Sequence, residues 1–148
     1  MSAPNLSRVV QPYLFFNGAC EEALALYRDA VGAEVLMQMR FDQAPEPPPP
    51  GTLPPGFEKK IMHASVRIGS TVLMASDGCS NTGQNFSGFS LSITVESEAA
   101  AARAFESLAV GGSIQMPLGK TFWSPCFGML TDRFGVGWMV TVATSPTP

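Results

Sequence analysis

The sequence predicts an α+β fold built from two βαβββ modules, and three observations carry that prediction. Runs of period two and period 3.6 follow one another in the order β-α-β-β-β, and the order then repeats. A helix bearing an aromatic residue, then glycine, then a strand occurs twice, at Tyr27…Gly32-Ala33-Glu34-Val35 and Phe105…Gly111-Gly112-Ser113-Ile114. Each half also closes on a hairpin, at Gly69-Ser70 and at Asp132-Arg133-Phe134-Gly135. A repeat of half the chain length is a strong organising signal, because one such unit buries too little apolar surface alone. Two units side by side leave a curved mixed β-sheet holding a concave cleft, with helices on its outer face. The expected organisation is a single domain over 1–148, with module one at about 9–77 and module two at about 88–143.

The first strand candidate is Val9–Phe16, in which Pro12 removes a ladder donor and demands an unpaired side or a bulge. Asn17-Gly18 breaks it and can cap the next element. Cys20–Val31 reads as a helix: Ala23, Leu26, Tyr27 and Ala30 form the apolar stripe, and Glu21 and Glu22 suit its first turn. Gly32 ends it. Glu34–Phe41 is the next strand. Residues 42–57 then hold seven of the thirteen prolines and read as an extended loop, either mobile or a lid.

Lys60–Ile68 and Thr71–Ser76 form the first hairpin. Phe89–Val95 alternates, with Leu91, Ile93 and Val95 on one side and Ser90, Ser92 and Thr94 on the other. Ser97–Ala109 is helical by its alanine content, with Ser97 as N-cap. Ser113–Leu118 precedes the closing hairpin of Phe127–Thr131 and Trp138–Val142, whose residues are mostly too apolar to face water.

Composition excludes several function classes. With 45% hydrophobic residues in 148, the chain can bury a real core. A net charge of -3, without a basic run, argues against nucleic acid as a partner. No stretch is long and apolar enough for a membrane span, and no N-terminal h-region is present. The three cysteines, Cys20, Cys79 and Cys126, are odd in number and lack CxxC spacing, which favours free thiols and a cytoplasmic location.

Three stretches are similar to one family: PYLFFNGACEEALALYRDAVGAEV, IMHASVRIGSTVLMASD and TFWSPCFGMLTDRFGVGWMV. They resemble the PhnB-like branch of the vicinal-oxygen-chelate superfamily, which includes glyoxalases, bleomycin-resistance proteins and extradiol dioxygenases. That branch is sometimes labelled 3-demethylubiquinone methyltransferase-like, yet no glycine-rich loop joins a strand to a helix here to hold a methyl donor. The resemblance implies a cleft function that usually rests on a divalent metal held by the first and last strands of each module. In this chain the first strand offers Gln11 and no histidine, and Thr71–Ser76 has no carboxylate. Ser90 stands near an expected histidine, and Met139 takes the place of a glutamate. A thioether is a poor ligand for hard or borderline ions, so neither a metal site nor a cofactor is expected.

The candidate ligand-binding residues are therefore His63, Ser90, Ser92, Trp123, Phe127 and Met139. His63, the single histidine, is either a polar group in the cleft or a satisfied strand or subunit-contact residue. The serine stripe lines the cleft or faces water, and the aromatic pair walls the cleft or fills the core. Cys126 lacks a nearby base in sequence to make it a nucleophile. Two functions are consistent with this: a metal-free small-molecule-binding protein in the manner of the bleomycin-resistance members, or a glyoxalase- or dioxygenase-like metalloenzyme with displaced ligands. Low charge content and the superfamily's habit of completing clefts across two chains point to a homodimer.

Overall fold

A computed structural model of the protein describes residues 8–46, 48–78 and 85–143. The elements run β1 (Tyr13–Phe15), α1 (Cys20–Val31), β2 (Glu34–Arg40), β3 (Ile61–Ile68), β4 (Thr71–Ser76), β5 (Leu91–Val95), α2 (Glu98–Ala109), β6 (Ser113–Gly119), β7 (Phe127–Thr131) and β8 (Gly137–Val142). The α+β class and the repeated βαβββ order stand as expected. The strands form two four-stranded mixed sheets, ordered β1-β4-β3-β2 and β5-β8-β7-β6. In each, the module's first strand lies parallel to its last, and the other pairings are antiparallel. No ladder joins β1 to β5 among the described residues, so both remain edge strands.

The modules join through their helices instead. α1 packs on α2, and one hydrophobic cluster runs through both modules, including Leu14, Phe16 and Tyr27 from the first and Leu108, Phe134 and Trp138 from the second. The ring of Phe16 meets Phe134 edge-on at 6.3 Å, and Tyr27 meets Trp138 at 5.2 Å. Trp138 thus lies under α1, as strand alternation requires.

Asp132, in the β7–β8 turn, fixes this junction. Its buried carboxylate accepts from Tyr27 Oη at 2.6 Å and Trp138 Nε1 at 2.9 Å, and from the amides of Phe134 at 2.8 Å and Val136 at 3.1 Å. Burial, reinforced by the neighbouring carboxylate, pushes the Tyr27 phenol far up, so it stays a donor.

The helices end differently from one another at their N-termini. Ser97 caps α2, its Oγ accepting from the Ala100 amide at 3.1 Å. The N-cap of α1 is Ala19, which offers no side-chain acceptor. Asp77, just after β4, supplies it: Oδ1 accepts from Gly18 N and Cys20 N, and Oδ2 from Ile61 N, each at 2.8 Å. A cap from the Asn17-Gly18 pair is thus replaced by one from the sheet. At the other end of α1, Gly32 takes the left-handed conformation (φ 70°) and donates to Arg28 O, as its sequence position predicts.

β1 is shorter than Val9–Phe16. The Pro12 carbonyl still accepts from Met74 N at 2.9 Å, but the ring has no N–H to return, and the ladder begins only at Tyr13. The proline-rich loop starts and ends on buried aromatics, Phe41 and Phe57, each opening a short 3₁₀ turn. Arg40 ties its root to α1, with Nη2 at 2.7 Å from Glu21 Oε2 and Nη1 at 2.7 Å from Lys59 O. Lys59 pairs with Asp42 at 2.6 Å. Among the described residues no helix is long and apolar enough to cross a membrane.

Candidate functional site

Each sheet has one face against the helices and one turned away from them, and strand alternation sorts the side chains. In the first sheet Leu14, Ala64, Val66, Leu73 and Ala75 face the core. Tyr13, Met74, Ser65 and Met37 share the opposite face in register, with His63 paired to Met39 beside them. In the second sheet Leu130, Trp138, Val140 and Val142 are buried under the helices. The open face carries two ranks that cross all four strands: Ser92–Met139–Met129–Met116 and Thr94–Thr141–Phe127–Gly119.

Five of the six candidate residues therefore belong to the second module, three of them to its sheet. Ser92, Phe127 and Met139 lie on its open face. Trp123 stands edge-on to Phe127 at 5.3 Å, covering it, and Phe122 packs on Trp123 at 4.7 Å while itself 97% exposed. Ser90 falls one residue before β5, and a Cβ on Gly137 would lie 3.0 Å from its Oγ. The absent side chain at Gly137 is what admits Ser90 there. His63 stands apart from these five, on the open face of the first sheet.

His63 has a partner that its sequence neighbours do not reveal. Tyr13 Oη lies 2.9 Å from His63 Nδ1, reaching over β4 from β1 to β3. Tyr13 also stacks on Phe15, with centroids 4.8 Å apart and planes 12° from parallel. Burial, with a smaller effect from Cys20, raises the Tyr13 phenol above its ordinary range. Alternation alone could have put Tyr13 and Phe15 on the face opposite Leu14 and Phe16, but only the strand order puts Tyr13 near His63.

A groove of about 670 Å³ runs along the free edge of β5, between it and the β1–β4 side of the first sheet. Pro12, Val31, Leu73, Trp138 and residues 90–96 line it, so of the candidates it takes in Ser90 and Ser92. A second hollow of about 300 Å³ lies within the proline-rich loop, between Phe41, Pro49, Leu53 and Glu58.

Away from the helices, the first and last strands of the two modules present Tyr13 and Phe15 on β1, Val72 and Met74 on β4, Ser92 on β5 with Ser90 just before it, and Met139 and Thr141 on β8. Gln11 spends its amide on Val72 O at 3.1 Å. Hydroxyls, thioethers and rings do not form a donor set for a hard or borderline divalent ion. Among the described residues no three of His, Cys, Asp and Glu gather elsewhere as a metal cluster. Cys20 and Cys126 are buried free thiols; Cys79 lies outside the described residues. Burial raises both thiols, aided at Cys20 by Asp77 and Glu21 and at Cys126 by Glu98, which leaves them weak nucleophiles.

Paired βαβββ modules with helices on one face of each sheet define the glyoxalase-like α+β class. FosX, the fosfomycin resistance protein of Listeria monocytogenes, shares that fold at a TM-score of 0.61 and 11% identity, over 94% of this chain and 95% of its own. A glyoxalase-related enzyme from Fulvimarina pelagi does so at 0.60 and 17%, over 93% and 89%. Within that class the chain belongs to the 3-demethylubiquinone-9 3-methyltransferase family, whose sequence profile matches residues 8–141. It is 36% identical to Protein YjdN of Escherichia coli K12 over 138 residues, covering 90% of this chain and 94% of that one. Protein PA1353 of Pseudomonas aeruginosa is 44% identical with a TM-score of 0.78, over 93% and 99% of the two chains. A PhnB protein from Bacillus cereus gives 30% and 0.77, over 92% and 100%.

Proposed function

We propose that this chain is a small-molecule-binding protein which takes an amphipathic ligand on its open sheet faces, without the superfamily's metal, and works as a homodimer. The observation that carries this reading is the Ser92–Met139–Met129–Met116 rank, flanked by Phe127 and Trp123. Adaptable thioethers and aromatic rings suit an apolar body, and the β5 hydroxyls suit a polar end. Tyr13, Phe15, Phe122 and Trp123 are all more than a third exposed, an arrangement that a partner would relieve. The free edges of β1 and β5 offer the means, since pairing them across two copies would set one copy's His63 face beside the other's Ser92–Met139 face.

Methyl transfer finds less support. At the two strand-to-helix junctions Cys20 N and Ala100 N are already engaged, by Asp77 and by Ser97, which leaves fewer first-turn donors for a cofactor's charged groups. Buried free thiols at Cys20 and Cys126 support a reducing, cytoplasmic setting.

Native mass spectrometry of freshly purified, untagged protein tests the reading. The expected result is a dimer without stoichiometric divalent metal, retaining a small molecule that Trp123→Ala releases. A bound divalent ion whose removal by EDTA lowers the Tm would overturn it in favour of a metalloenzyme with displaced ligands.

A further inference from the structure

We propose that Tyr13 and His63 form a donor site on the open face of the first sheet for a planar aromatic molecule bearing an acceptor oxygen. The proposal rests on the reading of the open faces as ligand surfaces and assigns the chemistry of one of them. His63 Nδ1 is engaged by Tyr13 Oη at 2.9 Å, so the opposite ring nitrogen, Nε2, is the one left for a ligand. We assign the phenol as donor and Nδ1 as acceptor in this contact. The imidazole is thereby fixed as the Nε2–H tautomer, and it presents a donor outward. The pair thus offers a donor, which selects an acceptor atom.

The surroundings select the rest of the molecule. Phe15, Tyr13 and His63 make a row of rings, with centroids 4.8 Å and 5.6 Å apart along it. Met39 lies beside His63 in register, and Met37 and Met74 share the rank of Tyr13. Flat π faces and thioethers favour a planar ring system over a flexible chain. The charged groups on this face, Glu34 and Arg67, are paired with one another and do not compete for the ligand. Tyr13 acts through His63 and is a positioning residue.

The single histidine makes the test specific, since selective ¹⁵N-histidine labelling gives signals from His63 alone. In the free protein at pH 8 the ring nitrogens should report the Nε2–H tautomer, and Tyr13→Phe, which keeps the ring, should return a mixture. The probe is 2-naphthoate, with 2-naphthylmethylamine as a comparator that has the same ring system and no acceptor. Naphthoate should move the Nε2 resonance and the amine should not. His63→Leu should weaken naphthoate binding by about tenfold, the loss of one charge-assisted hydrogen bond, and Tyr13→Phe should weaken it less, because it releases the tautomer and leaves the imidazole in place. An Nδ1–H tautomer in the free protein, equal responses to the two probes, or no naphthoate binding would each overturn the assignment. Naphthoate that shifts the methyls of Met129 and Met139 but leaves His63 untouched would overturn it too, while leaving the broader reading of the open faces intact.

Discussion

Helices α1 and α2 are each twelve residues long and each belong to a four-stranded sheet of the same strand order, yet their first turns are satisfied from different places. α2 carries its own cap, with Ser97 adjoining the helix in sequence. α1 begins at Cys20, and its cap is a buried carboxylate 57 residues downstream that also accepts from the first amide of β3. The hairpin turns differ in the same sense. Gly69-Ser70 merely reverses the first module's chain, whereas the β7–β8 turn drives Asp132 into the shared core, where it reaches Tyr27 of the other module. Module one depends on distant carboxylates at both of its helical attachments, and module two does not. Repetition of a topology thus leaves the polar fastenings free to differ.

The largest expected effect comes from cutting the fastening between modules. Asp132→Ala leaves the buried Tyr27 hydroxyl and Trp138 indole without their acceptor, together with two turn amides, and should cost about 3–5 kcal/mol. Urea unfolding measures this; a loss under about 1 kcal/mol would mean that water replaces the carboxylate. Asp77→Ala strips the α1 terminus and Ile61 of an acceptor and should cost about 2–4 kcal/mol, with lower helicity in the far-ultraviolet spectrum. Ser97→Ala should cost about 1 kcal/mol, the usual value of a local cap. Equal losses at Asp77 and Ser97 would erase the contrast between the helices.

Much of this fold is legible in the sequence. The periodicity of Cys20–Val31, the alternation around Leu91–Val95 and the glycine at 32 place those elements closely, because the signals are local. The phase of β5 and β8 is legible too, since Ser92 and Met139 must lie opposite Leu91 and Trp138. Whatever depends on strand order stays hidden. Tyr13 and His63 are 50 residues apart and meet only because β4 lies between their strands. Asp77 reads as a loop residue until β4 delivers it to the start of α1. How the two modules join is hidden for a related reason: a repeat fixes what each unit is, and the partner of its free edge is decided by surfaces that alternation leaves unassigned.

The remote cap of α1 also bears on the order in which the chain acquires structure. α2 closes its first turn with a neighbour three residues away, a contact that needs no tertiary structure to form. α1 has no such local closure, and its terminal amides wait on a loop that must bring residue 77 back past the whole proline-rich segment. Closing that loop carries the entropy of a long excursion, so the contact belongs late on the folding path. During synthesis all of β4 has to leave the ribosome before Asp77 can cap α1, whereas the cap of α2 is made before the helix itself.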